Sequence, residues 1–165
     1  AHLGYLDNLF ARFSDAVVIH MHRDPLATIP SGASLNTTLW RMHAHDVDPH
    51  RVGRQWIERM AWANQRAMSI RNQLEGGRGS FIDVSFRDLV SDPFAQIHQI
   101  YERAGIDPSR EADEAMTAWL RDNAREKFPR HEYGPETFGL TSQEIRETFA
   151  SYTERFLADQ TEDKR

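Results

Sequence analysis

The sequence predicts an α/β fold: a parallel sheet, of which only part is present, flanked by many helices. Two short β-branched runs, residues 17–22 and 80–86, read as strands. A long segment of helical periodicity separates them, which suits parallel strands joined by a helical crossover rather than a hairpin. Asp-Pro pairs at 24–25, 92–93 and 107–108 mark helix starts. Two strands are too few for a complete sheet, since most have ~4–6. Further strands are expected on the N-terminal side.

Taken in order, residues 2–14 are expected to form a helix, with Leu3, Leu6, Leu9 or Phe10, and Phe13 on one face. This pattern is already under way at Ala1, as in a piece of a longer chain. The strand 17–22 (Val17, Val18, Ile19, His20, Met21, His22) follows. A helix capped by Asp24 then runs to about Met42, disturbed at Pro30. After a polar loop, Val52, Trp56, Met60, Ala63, Ala67, Ile70 and Leu74 recur every three or four residues as a long amphipathic helix. Gly76 and Gly77 end it. Beyond the second strand, one helix runs from Asp92 to Gly105. Another opens at Asp107-Pro108 and reaches about Arg125. Residues 127–140 form a loop. Thr141-Ser142-Gln143-Glu144 is a capping box for a single last helix bearing Ile145, Phe149, Tyr152 and Phe156. Residues 1–159 thus form one unit, and 160–165 a polar tail.

Composition narrows the function. The 165 residues are 39% hydrophobic and 27% charged, a globular balance. No apolar run approaches the ~20 residues of a membrane span. The absence of cysteine excludes disulfides, thiol catalysis and Cys-based zinc sites, and makes a reducing, cytoplasmic location the expectation. A net charge of -5 argues against a nucleic-acid coat. Of the 20 basic residues 18 are Arg, a ratio that reads first as codon bias but leaves room for a local anion site, since Arg grips phosphate or sulfate with two prongs.

The chemistry is expected at His22-Arg23-Asp24-Pro25 and at Ser31. An apolar strand ends there, an Arg stands at its C-terminal edge, and a capped helix begins. Ligands of open α/β sheets bind beyond strand C-termini, and helix N-termini offer N–H groups to anions. Arg23 and the Ser31 hydroxyl can thus hold one phosphate. The same residues admit a second reading, in which Arg23 pairs with Asp24 and Ser31 merely packs.

This segment, with Ser eight residues after Arg, resembles the 3′-phosphate-binding segment of the sulfotransferases that use 3′-phosphoadenosine 5′-phosphosulfate (PAPS), most closely the bacterial branch. The helix before it, Val84-Ser85-Phe86-Arg87-Asp88-Leu89 with Asp92-Pro93, and Arg130-His131-Glu132-Tyr133 through Phe138-Gly139-Leu140 resemble the same family in the same order. The resemblance implies a P-loop-kinase-like core and sulfuryl transfer from PAPS to a hydroxyl or amine of a small-molecule acceptor, leaving PAP. It implies no metal. It places Arg23 and Ser31 on the 3′-phosphate, Phe86 near the adenine where many members have Tyr, and Arg130 as a further phosphate contact. His2, 21 residues before Arg23, falls near the position of the family's catalytic base; the residue alone reads rather as a helix-terminal surface His. The family's Lys-bearing 5′-phosphosulfate loop has no counterpart here. The chain is therefore expected to be the C-terminal portion of such an enzyme, partnered by the polypeptide upstream of Ala1 and inactive alone.

Other features read more plainly. His20 and His22 share a strand face, and with His43, His45 and His50 suggest a metal cluster only weakly, since no carboxylate stands at ligand spacing. Trp40, Trp56, Trp62 and Trp119 read as core or cleft lining, and residues 35–45 as a possible acceptor wall. Arg51, Arg54, Arg59, Arg66 and Arg71 read as a solvated helix face. The competing functions are a kinase-like P-loop protein, which should carry a phosphate loop and an Arg-rich lid, and a non-catalytic helical interaction module.

Overall fold

The computed structural model describes residues 2–74, 80–123 and 133–161. At its centre two parallel strands, β1 (Val17–His22) and β2 (Ser80–Ser85), lie side by side. Their register pairs Val18 with Phe81, His20 with Asp83 and His22 with Ser85. Alternate strand residues face opposite sides, so these six share one face. On the other, Ile82 and Val84 are buried, whereas Val17, Ile19 and Met21 are 40%, 51% and 48% exposed.

The expected N-terminal helix is shorter than 2–14. A 3₁₀ turn, Leu3–Tyr5, leads into α1 (Leu6–Arg12), with Tyr5 at φ -136° breaking the two apart. Leu6 and Phe10 still reach inward, against Ala67 and Ile70 of the long helix α3 (Pro49–Leu74). Between them α2 (Pro25–Arg41) starts on Asp24 and runs unbroken through Pro30. Only the Leu26 carbonyl forfeits its helical partner there. Pro25, Ile29, Ala33 and Thr37, each four residues apart, form its buried stripe.

The second strand ends one residue earlier than expected. Phe86 is the first residue of a short helix, α4 (Phe86–Ser91), because the Ser85 hydroxyl accepts the Asp88 N–H and caps it. Next comes α5 (Pro93–Ala104), capped by Asp92 and stopped by Gly105 at φ 68°. The following helix begins at Arg110 rather than at the Asp107-Pro108 pair. Ser109 is its cap, accepting from the Ala112 N–H, and α6 covers Arg110–Asp122.

A 3₁₀ turn, Pro135–Phe138, precedes two closing helices where one was expected: α7 (Ser142–Thr148) and α8 (Ala150–Thr161). The bend at Phe149 lets Ile145, Phe149, Tyr152 and Leu157 all enter one core with Ile29, Ile57 and Leu140. A straight helix would rotate part of that set toward water. Among the described residues no helix is long and apolar enough to cross a membrane.

Candidate functional site

Arg23 leaves the sheet immediately after β1, and Phe86 enters α4 immediately after β2. Parallel pairing therefore brings both to the same C-terminal edge. The Arg23 guanidinium carbon lies 4.2 Å from the centre of the Phe86 ring. Such a cation–π contact is worth about 0.5–1 kcal/mol at a half-exposed site and holds the cation without neutralising it. Among the described residues no carboxylate forms an ion pair with Arg23. The alternative Arg23–Asp24 pair does not form, because the Asp24 carboxylate accepts the Leu26 N–H at 2.9 Å.

That cap also corrects an expectation. The first turn of α2 was to offer free N–H groups to an anion. Pro25 has none, Leu26 donates to the Asp24 side chain, and Ala27 and Thr28 donate to the Asp24 carbonyl. The first turn of α2 therefore has no N–H group left for an anion. Ser31 is half-buried on α2, the seventh residue of that helix, and no hydrogen bond joins it to Arg23. His2 is exposed, just before the Leu3–Tyr5 turn. Arg130 lies outside the described residues.

Beneath Arg23 is a network that sequence reasoning missed. Arg71 is not on a solvated face: it is 7% exposed. Its two terminal nitrogens grip the two Asp83 oxygens, each at 2.7 Å, and one of them also lies 3.0 Å from His20 Nδ1. His22, 3% exposed, reaches Asp83 Oδ1 through Nε2 at 2.7 Å and the Tyr152 hydroxyl through Nδ1 at 3.2 Å. Phe156 stacks on the His22 ring, with centroids 4.2 Å apart and planes 12° apart. The Arg71 guanidinium in turn lies over Phe81 at 4.3 Å. One signal for this existed in the sequence: an Asp in the middle of an otherwise apolar strand, with an Arg in the last turn of the helix before it.

The titration of these groups follows from their surroundings. Burial lowers His20 from 6.5 to about 4, helped by His22 and Arg71. Partial burial pushes the Asp83 carboxyl up, but bonds from His22 and Arg71 outweigh it and hold the group well below the usual carboxylate range. Burial raises the Tyr152 phenol, opposed by a hydrogen bond from the Arg23 backbone. His20, His22 and Asp83 could each offer a ligand atom, all within 4.8 Å of one another. Arg71 already claims both Asp83 oxygens and His20 Nδ1, so a second cation would meet a guanidinium there.

A second feature is a groove of about 930 Å³ between the Leu3–Tyr5 turn, α2 and α3. Tyr5, Leu35, Leu39, Trp40, Trp56 and Trp62 line it. Of the stretch 35–45, Leu35, Asn36, Leu39 and Trp40 line this groove, and His2 directly precedes Leu3 on its opposite wall. Trp119 does not join the groove; it is 63% exposed on α6.

The sequence matches the model of the sulfotransferase family over residues 1–111. The chain belongs to that family. Among solved structures it is similar to sulfotransferase STF9 from Mycobacterium avium, with 26% identity and a TM-score of 0.78 over 94% of this chain and 40% of that one. It is also similar to sulfotransferase STF1 from Mycobacterium tuberculosis H37Rv, with 27% identity and a TM-score of 0.71 over 91% of this chain and 37% of that one. No curated protein matches. The chain therefore spans about 40% of the length of these sulfotransferases. The shared fold is P-loop-kinase-like, here helix-rich with a small parallel sheet.

Proposed function

We propose that the chain is the C-terminal portion of a PAPS-dependent sulfotransferase and carries its 3′-phosphate subsite. The observation that supports this best is the state of Arg23: a cation at the C-terminal edge of a parallel sheet, seated on the Phe86 ring and unclaimed by any described carboxylate. An unneutralised guanidinium is ready for a planar, two-pronged grip on phosphate. Phe86 stacks beneath it and offers its remaining edge to a purine, without the hydroxyl a Tyr would add. Ser31 and Arg130 complete the subsite in this reading.

When bound, PAPS supplies the activated sulfuryl group. The acceptor oxygen or nitrogen bonds to sulfur, the bond to the 5′-phosphate oxygen breaks, PAP leaves and the acceptor proton passes to a base. His2 is our candidate for that base, at the lip of the aromatic groove, which takes the small-molecule acceptor. In this reading the 5′-phosphosulfate end is held outside the residues of this chain, so the chain alone is inactive. The lack of cysteine fits a reducing, cytoplasmic setting.

The test is Arg23→Ala in the intact protein, with PAP affinity measured by calorimetry. Loss of a charge-assisted contact should weaken binding by about 1.5–3 kcal/mol. Unchanged affinity would remove Arg23 from the subsite and the proposal with it.

A further inference from the structure

Trp56 and Trp62 both reach the aromatic groove from α3, and each lies on a glycine of another wall, Gly32 of α2 and Gly4 of the Leu3–Tyr5 turn. A Cβ at Gly32 would stand 2.6 Å from Trp56 Cζ2, and closer still to Nε1 and Cε2. Real Cβ atoms do not approach within 3.0 Å, so the indole edge fills the space that a side chain at position 32 would need. The fit leaves the indole N–H buried with no partner among the described residues. The seat itself is held: Asn36 Nδ2 donates to the Gly32 carbonyl at 2.8 Å, and Ala33 beside it is fully buried. On another side Trp56 packs against the core that contains Ile29, Ile57 and Leu140, and a packed core yields little volume. The groove is the open side toward which this ring can be displaced. Gly4 differs. A Cβ there would stand 2.8 Å from Trp62 Cη2, but Trp62 is 46% exposed and can turn toward water.

We infer that Gly32 is a specificity-determining residue: having no side chain, it seats the Trp56 indole and thereby sets how wide a ring system the groove admits as acceptor. The inference rests on the reading that the groove takes the acceptor, and adds to it the acceptor's class, an apolar ring compound. Tyr5, Leu35, Leu39 and Trp40 supply the apolar surface such a ring would cover. A methyl group at position 32 pushes the indole into the groove and narrows it by about that group's width. In an apolar pocket one such group discriminates between ligands roughly 10- to 200-fold.

The experiment measures, by calorimetry on the intact protein with PAP bound, the affinities of 2-naphthol and phenol, a fused pair of rings and a single one. Wild type should prefer 2-naphthol. Gly32→Ala should weaken 2-naphthol about tenfold or more relative to phenol and leave PAP affinity unchanged. Combining it with Trp56→Phe, whose smaller ring makes room for the added methyl, should restore the preference. If Gly32→Ala alone does not melt cooperatively, the double variant must melt and keep the preference. Three results would overturn the inference: no preference in wild type or no change of it in Gly32→Ala, equal losses for both ring compounds, or a double variant without rescue. A wild-type protein that binds PAP but neither ring compound would instead overturn the assignment of the groove to the acceptor.

Discussion

Acidification should weaken this fold well above the pH at which carboxylates titrate, and His20 is the reason. Its imidazole is half-buried between His22 and Arg71 and is held neutral down to about pH 4, against 6.5 for an exposed His. Between those values the unfolded chain binds a proton that the folded chain refuses. Stability therefore rises with pH across this window: the contribution is complete above about 6.5 and is lost as pH falls toward 4. A fall from 6.5 to about 4 corresponds to roughly 3 kcal/mol. Because solvent reaches part of the site, about 2 kcal/mol is the effect to expect. Urea denaturation between pH 7.5 and 4.5 measures it, in wild type and in His20→Gln. Gln keeps an oxygen that accepts from Arg71 but cannot take a proton. The variant should lose about 2 kcal/mol of the pH dependence in this window. If both proteins show the same slope, His20 is not held neutral by its surroundings and the reasoning fails.

Arg71→Met should cost about 2–4 kcal/mol, since it abandons a carboxylate; the value sits below that of a fully buried pair because the Asp83 side chain is 43% exposed. Denaturant melts at pH 7.5 read it directly, and a loss under 1 kcal/mol would contradict the clamp. Gly53→Ala should destabilise by about 1–3 kcal/mol. A Cβ there would press on the Phe138 carbonyl oxygen and stand 2.7 Å from the Phe138 Cβ, forcing α3 off the Pro135–Phe138 turn. A neutral thermal shift would show that the turn yields freely.

How far the sequence reached can be judged residue by residue. Local chemistry was legible: Asp24 with Pro25, Asp92 with Pro93, and Thr141 cap helices as expected, because each cap needs only neighbours within three residues. Both strands were legible from their β-branched runs. Boundaries decided by competing caps were not. Ser85 opened a further helix directly after β2, Ser109 took a helix start from Asp107, and Phe149 split the last helix to satisfy a core invisible to periodicity.

Of the candidate site, Arg23 and Phe86 came together as parallel pairing requires of residues that end adjacent strands. Arg71 was misread because helical periodicity places it on an outer face, whereas Asp83 draws it inward across the strand register. A buried ion pair joins two elements, and neither element's pattern reveals it alone. The free donors expected at the α2 N-terminus were miscounted for a related reason. A good cap satisfies the same N–H groups that would otherwise bind an anion.

The central claim is that this edge of the sheet recognises a 3′-phosphorylated adenine nucleotide. A thermal shift of the intact protein with PAP and, separately, with ATP asks this directly, because a ligand of the folded state raises the melting temperature. We predict stabilisation by PAP and little by ATP. Stabilisation by ATP with none by PAP would contradict the account and favour a kinase-like nucleotide site.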